Sequence, residues 1–172
     1  NLKSQTSPHS NKLEMARELY QSGQLQECEK ILNDENWSLD MLKDVTQLRG
    51  AIEIARGQYL KAADYFLENL EKDPSCVASL TGLAKSQIGQ RQPDQSLKTI
   101  ERALKLDPTY VNARLVKAEA LIAQKKEQAA LGVLRELILD HPNNFLARYH
   151  YCQVLEHFEG SRSAESAIKR LA

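Results

Sequence analysis

The chain has 172 residues, 42% hydrophobic and 27% charged, with 23 basic residues offsetting 23 acidic ones. That profile suits a folded chain with a sizeable core, and the 7 glycines, 5 prolines and 6% aromatics exclude collagen-like and Pro/Gly-rich classes. No apolar run approaches the roughly 18 residues of a membrane-spanning helix, and the neutral balance argues against nucleic acid, which is bound through clustered Lys and Arg. The split is mildly asymmetric, with 9 basic against 13 acidic residues through Pro74 and 14 against 10 after it.

In chain order, Asn1 to Pro8 is polar and aperiodic and reads as a loose tail. Helical patterns then follow in pairs: 10–22 with 25–35, 41–56 with 59–72, 75–89 with 93–106, 109–124 with 127–140, and 143–158 with 161–171. Cys28, Cys76 and Cys152 lie far apart and form neither a disulfide framework nor a zinc spacing. The first residue is Asn, so an N-terminal part is expected to have been removed.

The pairs obey one period. Pro74, Pro108 and Pro142 are spaced by 34 residues, as are Gly23 and Gly57. At that step one column reads Ala16, Gly50, Ala84, Ala118, Cys152 and a second reads Cys28, Ala62, Ser96, Ala130, Ala164, all small. A third, Leu32, Phe66, Ile100, Leu134, Ile168, is large and apolar. Small residues let two antiparallel helices approach, while the large one fills the space toward the next pair. Gly23 and Gly57 suit a left-handed turn. Arg91 and Lys125 replace them in the third and fourth periods, where Pro93 opens the following helix, and a different turn type is expected there.

These residues resemble the tetratricopeptide repeat (TPR) family, a 34-residue helix-turn-helix unit. The second repeat comes closest, with Gly50, Gly57, Tyr59, Ala62, Phe66 and Pro74 at family positions. The departures are the absent Trp at the fourth position (Lys12, Thr46, Leu80, Arg114, Arg148) and Arg49 and Lys117 at the seventh, where Leu is usual. The first repeat is the most degenerate, with Asp40 in the proline place. The resemblance implies an all-α fold, a right-handed α-solenoid of five antiparallel helix pairs. Residues 1–8 are then a flexible tail and 9–172 five repeats, at about 9–42, 43–76, 77–110, 111–144 and 145–172. No polar capping helix follows Ile168 and Leu171, so the chain is expected to be a fragment of a longer array or to be covered at that end by another subunit.

The search for chemistry returns no nucleophile elbow, phosphate loop, zinc-protease motif or calcium loop. His9 and His141 read as solvated. His150 and His157 are seven apart on one helix face with Gln153 between them, and a metal would need a third ligand there. Cys152 reads as the small core residue of its column. Glu68, Glu71, Glu101 and Glu136 read as solubilising surface charges. No catalytic residue, cofactor or metal is assigned, and the chain is read as a non-enzyme.

In the TPR family the concave face is lined by the first helix of each pair. The resemblance places on it Gln47, Leu48, Ala51, Ile54 and Ala55 from the second repeat, and Ala78, Thr81, Gly82, Lys85 and Ile88 from the third. Asn112, Leu115, Val116, Glu119 and Ile122 follow from the fourth, and Tyr149, His150, Gln153 and His157 from the fifth. Glu14, Arg17 and Tyr20 add a polar margin at the other end. An apolar centre with polar ends suits an amphipathic helix or extended peptide, although part of this lining reads equally well as core between repeats. The family's clamp for acidic chaperone tails is absent, because its places hold Leu13, Arg17, Leu48, Ala78 and Gly82.

The expected function is therefore a non-catalytic protein-protein interaction scaffold that binds a partner peptide or helix, without nucleic acid or membrane insertion. The alternative is a structural spacer or self-assembling element of a larger secretion, envelope or polysaccharide-export machine, with homo-oligomers formed through the C-terminal end. The segment is expected to be soluble, in a cytoplasmic or periplasmic setting, and its ungapped period looks more like bacterial arrays.

Overall fold

The computed structural model describes residues 8–33 and 36–171, which hold nine helices and no strand. They run α1 (Pro8–Gln21), α2 (Leu25–Leu32), α3 (Leu42–Ala55), α4 (Tyr59–Lys72), α5 (Val77–Gly89), α6 (Pro93–Leu106), α7 (Val111–Ala123), α8 (Glu127–Asp140) and α9 (Phe145–Leu171). The first four predicted pairs form, giving an all-α helical repeat solenoid. Pro8 already belongs to α1, and the rest of the predicted tail, 1–7, lies outside the described residues. Helix α2 ends at Leu32, and residues 34 and 35 of its predicted span lie outside the described residues. Its Leu32 carbonyl accepts from Trp37 Nε1 at 3.2 Å and from Arg49 Nη2 at 2.7 Å, which satisfies a helix end that would otherwise run on. That bond also accounts for Arg49 at a position where the family prefers Leu.

All four hairpin turns share one backbone type, contrary to the expectation for the third and fourth. Gly23 and Gly57 have φ of 77° and 74°, and Arg91 and Lys125 adopt 61° and 60°. In each turn the left-handed residue donates three residues back and its successor five back, as in Gly57 N to Ile54 O at 2.9 Å and Gln58 N to Glu53 O at 2.8 Å. Arg91 and Gln92 repeat the pattern onto Ile88 and Gln87. This pair of hydrogen bonds closes the helix end whatever the side chain, so packing of the next helix imposes the conformation and the non-glycine residue bears its strain, about 1 kcal/mol.

The three periodic columns are the core. Ala16, Ala84, Ala118, Cys28, Ala62, Ser96, Ala130, Leu32, Ile100 and Leu134 have no exposed surface. Cys28 Sγ donates to Ala16 O at 3.1 Å and Ser96 Oγ to Ala84 O at 2.8 Å, so the small residues of the first and third hairpins do face one another. Phe66 is packed more tightly still, since a Cβ built on Gly50 would lie 2.6 Å from its ring and one on Gly82 closer again.

The fifth pair departs from expectation. Residues 145–171 form one continuous helix instead of the hairpin predicted at 143–158 and 161–171. Each earlier second helix is held between two first helices, as α4 is between α3 and α5. Glu159-Gly160-Ser161 contains no proline, and a lone glycine costs a helix only about 1 kcal/mol. Cys152 is consequently exposed, not the core residue its column implied. The side chains of Ala164, Ile168 and Leu171 lie outside the described residues.

Candidate functional site

The first helices touch in sequence, α1 on α3, α3 on α5, α5 on α7 and α7 on α9, while among the described residues no second helix touches another second helix. The second helices therefore splay, and the array bends toward its first-helix side. Each repeat adds one step to this inner face.

Polar side chains link one step to the next. Arg17 pairs with Asp44 at 2.9 Å, and the Tyr20 hydroxyl reaches Ala51 O at 3.5 Å. Burial pushes the Tyr20 phenol up from its ordinary value. Gln47 donates to Ala78 O at 3.1 Å and accepts from Ser79 Oγ at 2.8 Å, fixing α3 to α5. Lys85 pairs with Glu119, one period ahead, and Glu119 also faces His150 Nε2 at 3.4 Å. The result is a cation, an anion and an imidazole on three successive first helices, α5, α7 and α9. His157 Nδ1 meets Glu127 Oε1 at 2.6 Å, and Gln153 Nε2 donates to the Tyr149 hydroxyl at 2.8 Å.

On the same first helices Ile54, Ile88 and Ile122 recur at 34-residue intervals and are half-buried, as are Ala51 and Ala78. Ala55 and Asn112 are exposed at the edges. Four residues expected to line the groove instead belong to the packing between helices: Leu48, Thr81, Leu115 and Val116 are buried. Gly82 gives its space to Phe66. Toward the C-terminal end the face deepens into a concavity of about 560 Å³, bounded by Glu119, Ile122, Glu127, His150 and His157. Sequence reasoning missed Glu127 and Lys125 at this rim. Both adjoin the α7–α8 turn, where Lys125 has a φ of 60°.

Among the described residues no group of three or more His, Cys, Asp or Glu is gathered to hold a metal. His150 and His157 each face a carboxylate of their own instead of converging. Among the described residues no helix is long and apolar enough to cross a membrane.

A family model described as tetratricopeptide repeat matches residues 89–153, which span α6, α7, α8 and the start of α9. Over this stretch the chain carries tetratricopeptide repeats. It is similar to sperm-associated antigen 1 of Mus musculus, 33% identical over 92 residues that make up 54% of this chain and 10% of that protein. The curated relatives it matches are much longer, and the aligned part spans 10% to 25% of their length. Among solved structures it resembles the APC/C hetero-tetramer Cut9-Hcn1, with a TM-score of 0.71 and 16% identity over 86% of this chain and 30% of that one. It also resembles the first TPR of Spaghetti (RPAP3) bound to the HSP90 peptide SRMEEVD, with a TM-score of 0.61 and 20% identity over 68% of this chain and 93% of that one. At these identities the solved structures establish the TPR fold.

Proposed function

We propose that this TPR array is a non-catalytic interaction scaffold that holds a peptide segment or amphipathic helix of a partner protein along its inner face. The observation that carries the reading is the ladder of Ile54, Ile88 and Ile122, half-buried at one step per repeat and edged by Lys85, Glu119 and His150. An apolar strip with a charged margin matches an amphipathic ligand, and full cover of each isoleucine adds an increment within the roughly 1.5–3 kcal/mol of a large apolar side chain. That the first TPR of Spaghetti is bound to an HSP90 peptide supports peptide binding by a fold of this kind. The ligand here is of another kind than an acidic tail, because among the five clamp places Leu13 and Leu48 are buried and Gly82 lies under Phe66.

The test is Ile88→Glu with Ile122→Glu, set against Leu60→Glu on the outer side, where Leu60 is 73% exposed. Proteins captured by the native chain are expected to be lost with the inner-face double variant and kept with the outer one. Unchanged capture by the folded double variant would reject the reading.

A second reading, a self-assembling structural element, is favoured by Phe145 and Leu146, exposed at 75% and 54% at the start of α9. Masses that rise with concentration and fall back on Phe145→Ser support it, and a constant monomer mass removes it.

A further inference from the structure

The inner face is unevenly charged along its length. At its N-terminal end, α1 and the start of α3 enclose a concavity of about 610 Å³ whose walls carry Glu14, Glu18, Asp40 and Asp44 against the guanidinium of Arg17, an excess of three negative charges. Register places this concavity on the inner face, because Arg17 stands one period before Ala51, two before Lys85 and three before Glu119, and Asp44 one before Ala78. Arg17 is taken up by Asp44 at 2.9 Å, and among the described residues no cation pairs with Glu14 or Glu18, both exposed. At the C-terminal end the signs balance, with Lys85 on Glu119 and Lys125 on the same rim as Glu127. Between the two ends stand the half-buried Ile54, Ile88 and Ile122.

We propose that the partner segment held on this face is basic at one end, with its apolar residues over Ile54, Ile88 and Ile122 and a block of Lys or Arg seated in the concavity between α1 and α3. The inference rests on the interaction reading given above and adds to it the charge and the direction of the ligand. Charge complementarity selects this occupant. Carboxylates lining a concave wall concentrate their field there, so they draw cations from beyond contact distance and oppose anions. A cation entering the concavity breaks no existing pair, since Glu14 and Glu18 are open while Arg17 stays on Asp44. A segment laid the other way round brings its cations to the balanced end and leaves the excess uncompensated. The same excess turns nucleic acid away from this end, because phosphate meets carboxylates there. The acidic side chains are exposed, so they act mainly on encounter and orientation, and the isoleucines supply the holding contact.

The experiment uses the full chain and two fluorescein-labelled peptides of about 18 residues, long enough as a helix to span three steps between first helices. Both carry the same leucines at helical spacing, and they differ only in a terminal block of lysines or of glutamates. By fluorescence anisotropy the lysine peptide is expected to bind about tenfold more tightly at about 0.15 M salt, and the gap to close toward 1 M, where screening is far stronger. Glu14→Lys with Glu18→Lys is expected to invert the order, and Ile88→Glu to weaken both peptides, with the helical content of each variant checked by circular dichroism. Equal binding of the two peptides, or a lysine preference that survives the Glu14 and Glu18 reversal, overturns this inference, and the interaction reading stands as long as Ile88→Glu still weakens both. If neither peptide binds at millimolar concentration, or if binding is indifferent to Ile88→Glu, both fall. A reversal that shifts the mass of the chain alone and leaves peptide affinity unchanged assigns the acidic end to a second copy and overturns the proposal as well.

Discussion

The second hairpin and the fifth repeat start from the same sequence pattern and end differently. In the second, Phe66 lies between Gly50 and Gly82, and α4 is clasped by α3 and α5. In the fifth, the equivalent segment continues α9, and its small-residue position is open to solvent. The comparison teaches that a repeat signature is a statement about neighbours. A small residue is a core residue only if a second helix arrives to cover it, and that helix turns back only if its burial outweighs the cost of ending a helix.

The sharpest way to break this contrast is Phe66→Ala. It removes a ring that two glycines are shaped around, and is expected to cost about 3–5 kcal/mol, read as a fall in urea midpoint at constant slope. A loss below 1 kcal/mol would mean that the second hairpin is as loose as the fifth. Next comes one substitution at two places in the same column. Ala118→Leu overpacks the α7–α8 contact and is expected to cost about 1–3 kcal/mol, while Cys152→Leu is expected to stay within about 0.5 kcal/mol for the array as a whole. Equal losses at both sites would show that position 152 is as enclosed as position 118.

The turns sharpen the comparison further. Gly57→Ala places a Cβ on a left-handed residue and is expected to lower stability by about 1 kcal/mol, whereas Arg91→Gly relieves the same conformation and is expected to raise it by a few tenths to 1 kcal/mol. In a chain of this size each kcal/mol moves the melting temperature by about 2–4 °C. The smallest effect is electrostatic. Lys43 donates to Asp73 at 2.5 Å and the Ser75 amide donates to it as well, which holds the Asp73 carboxyl below its ordinary range. A depressed carboxylate contributes stability above the ordinary range and loses it as pH falls through the depressed value. Melting curves of the native chain and of Asp73→Asn should therefore differ most near neutral pH and converge in acid. A gap that widens in acid would reverse the assignment.

Much of the fold was legible because the 34-residue period encodes contacts that every repeat makes identically. Ala16, Ala84, Leu32 and Ile100 were placed in the core on spacing alone, and all are buried. The inner face was only partly legible. Ile54, Ile88 and Ile122 stand half-open on it, but Leu48, Thr81, Leu115 and Val116 are absorbed between helices, since the positions two neighbouring helices share cannot be told apart by period. The contact chain from Lys85 through Glu119 to His150 was invisible as a unit, because it joins residues from three repeats whose approach depends on how far the array bends.

By itself the sequence determined the unit: two antiparallel helices, their length, their small and large contact residues and the 34-residue step. Those follow from local helix chemistry and the size of side chains that must fit between two cylinders. Only the tertiary structure decided how the ends of the units behave. The left-handed conformation of Arg91 and Lys125 is imposed by the helix that packs next, and residues 145–171 run on as one helix where each earlier repeat turns back.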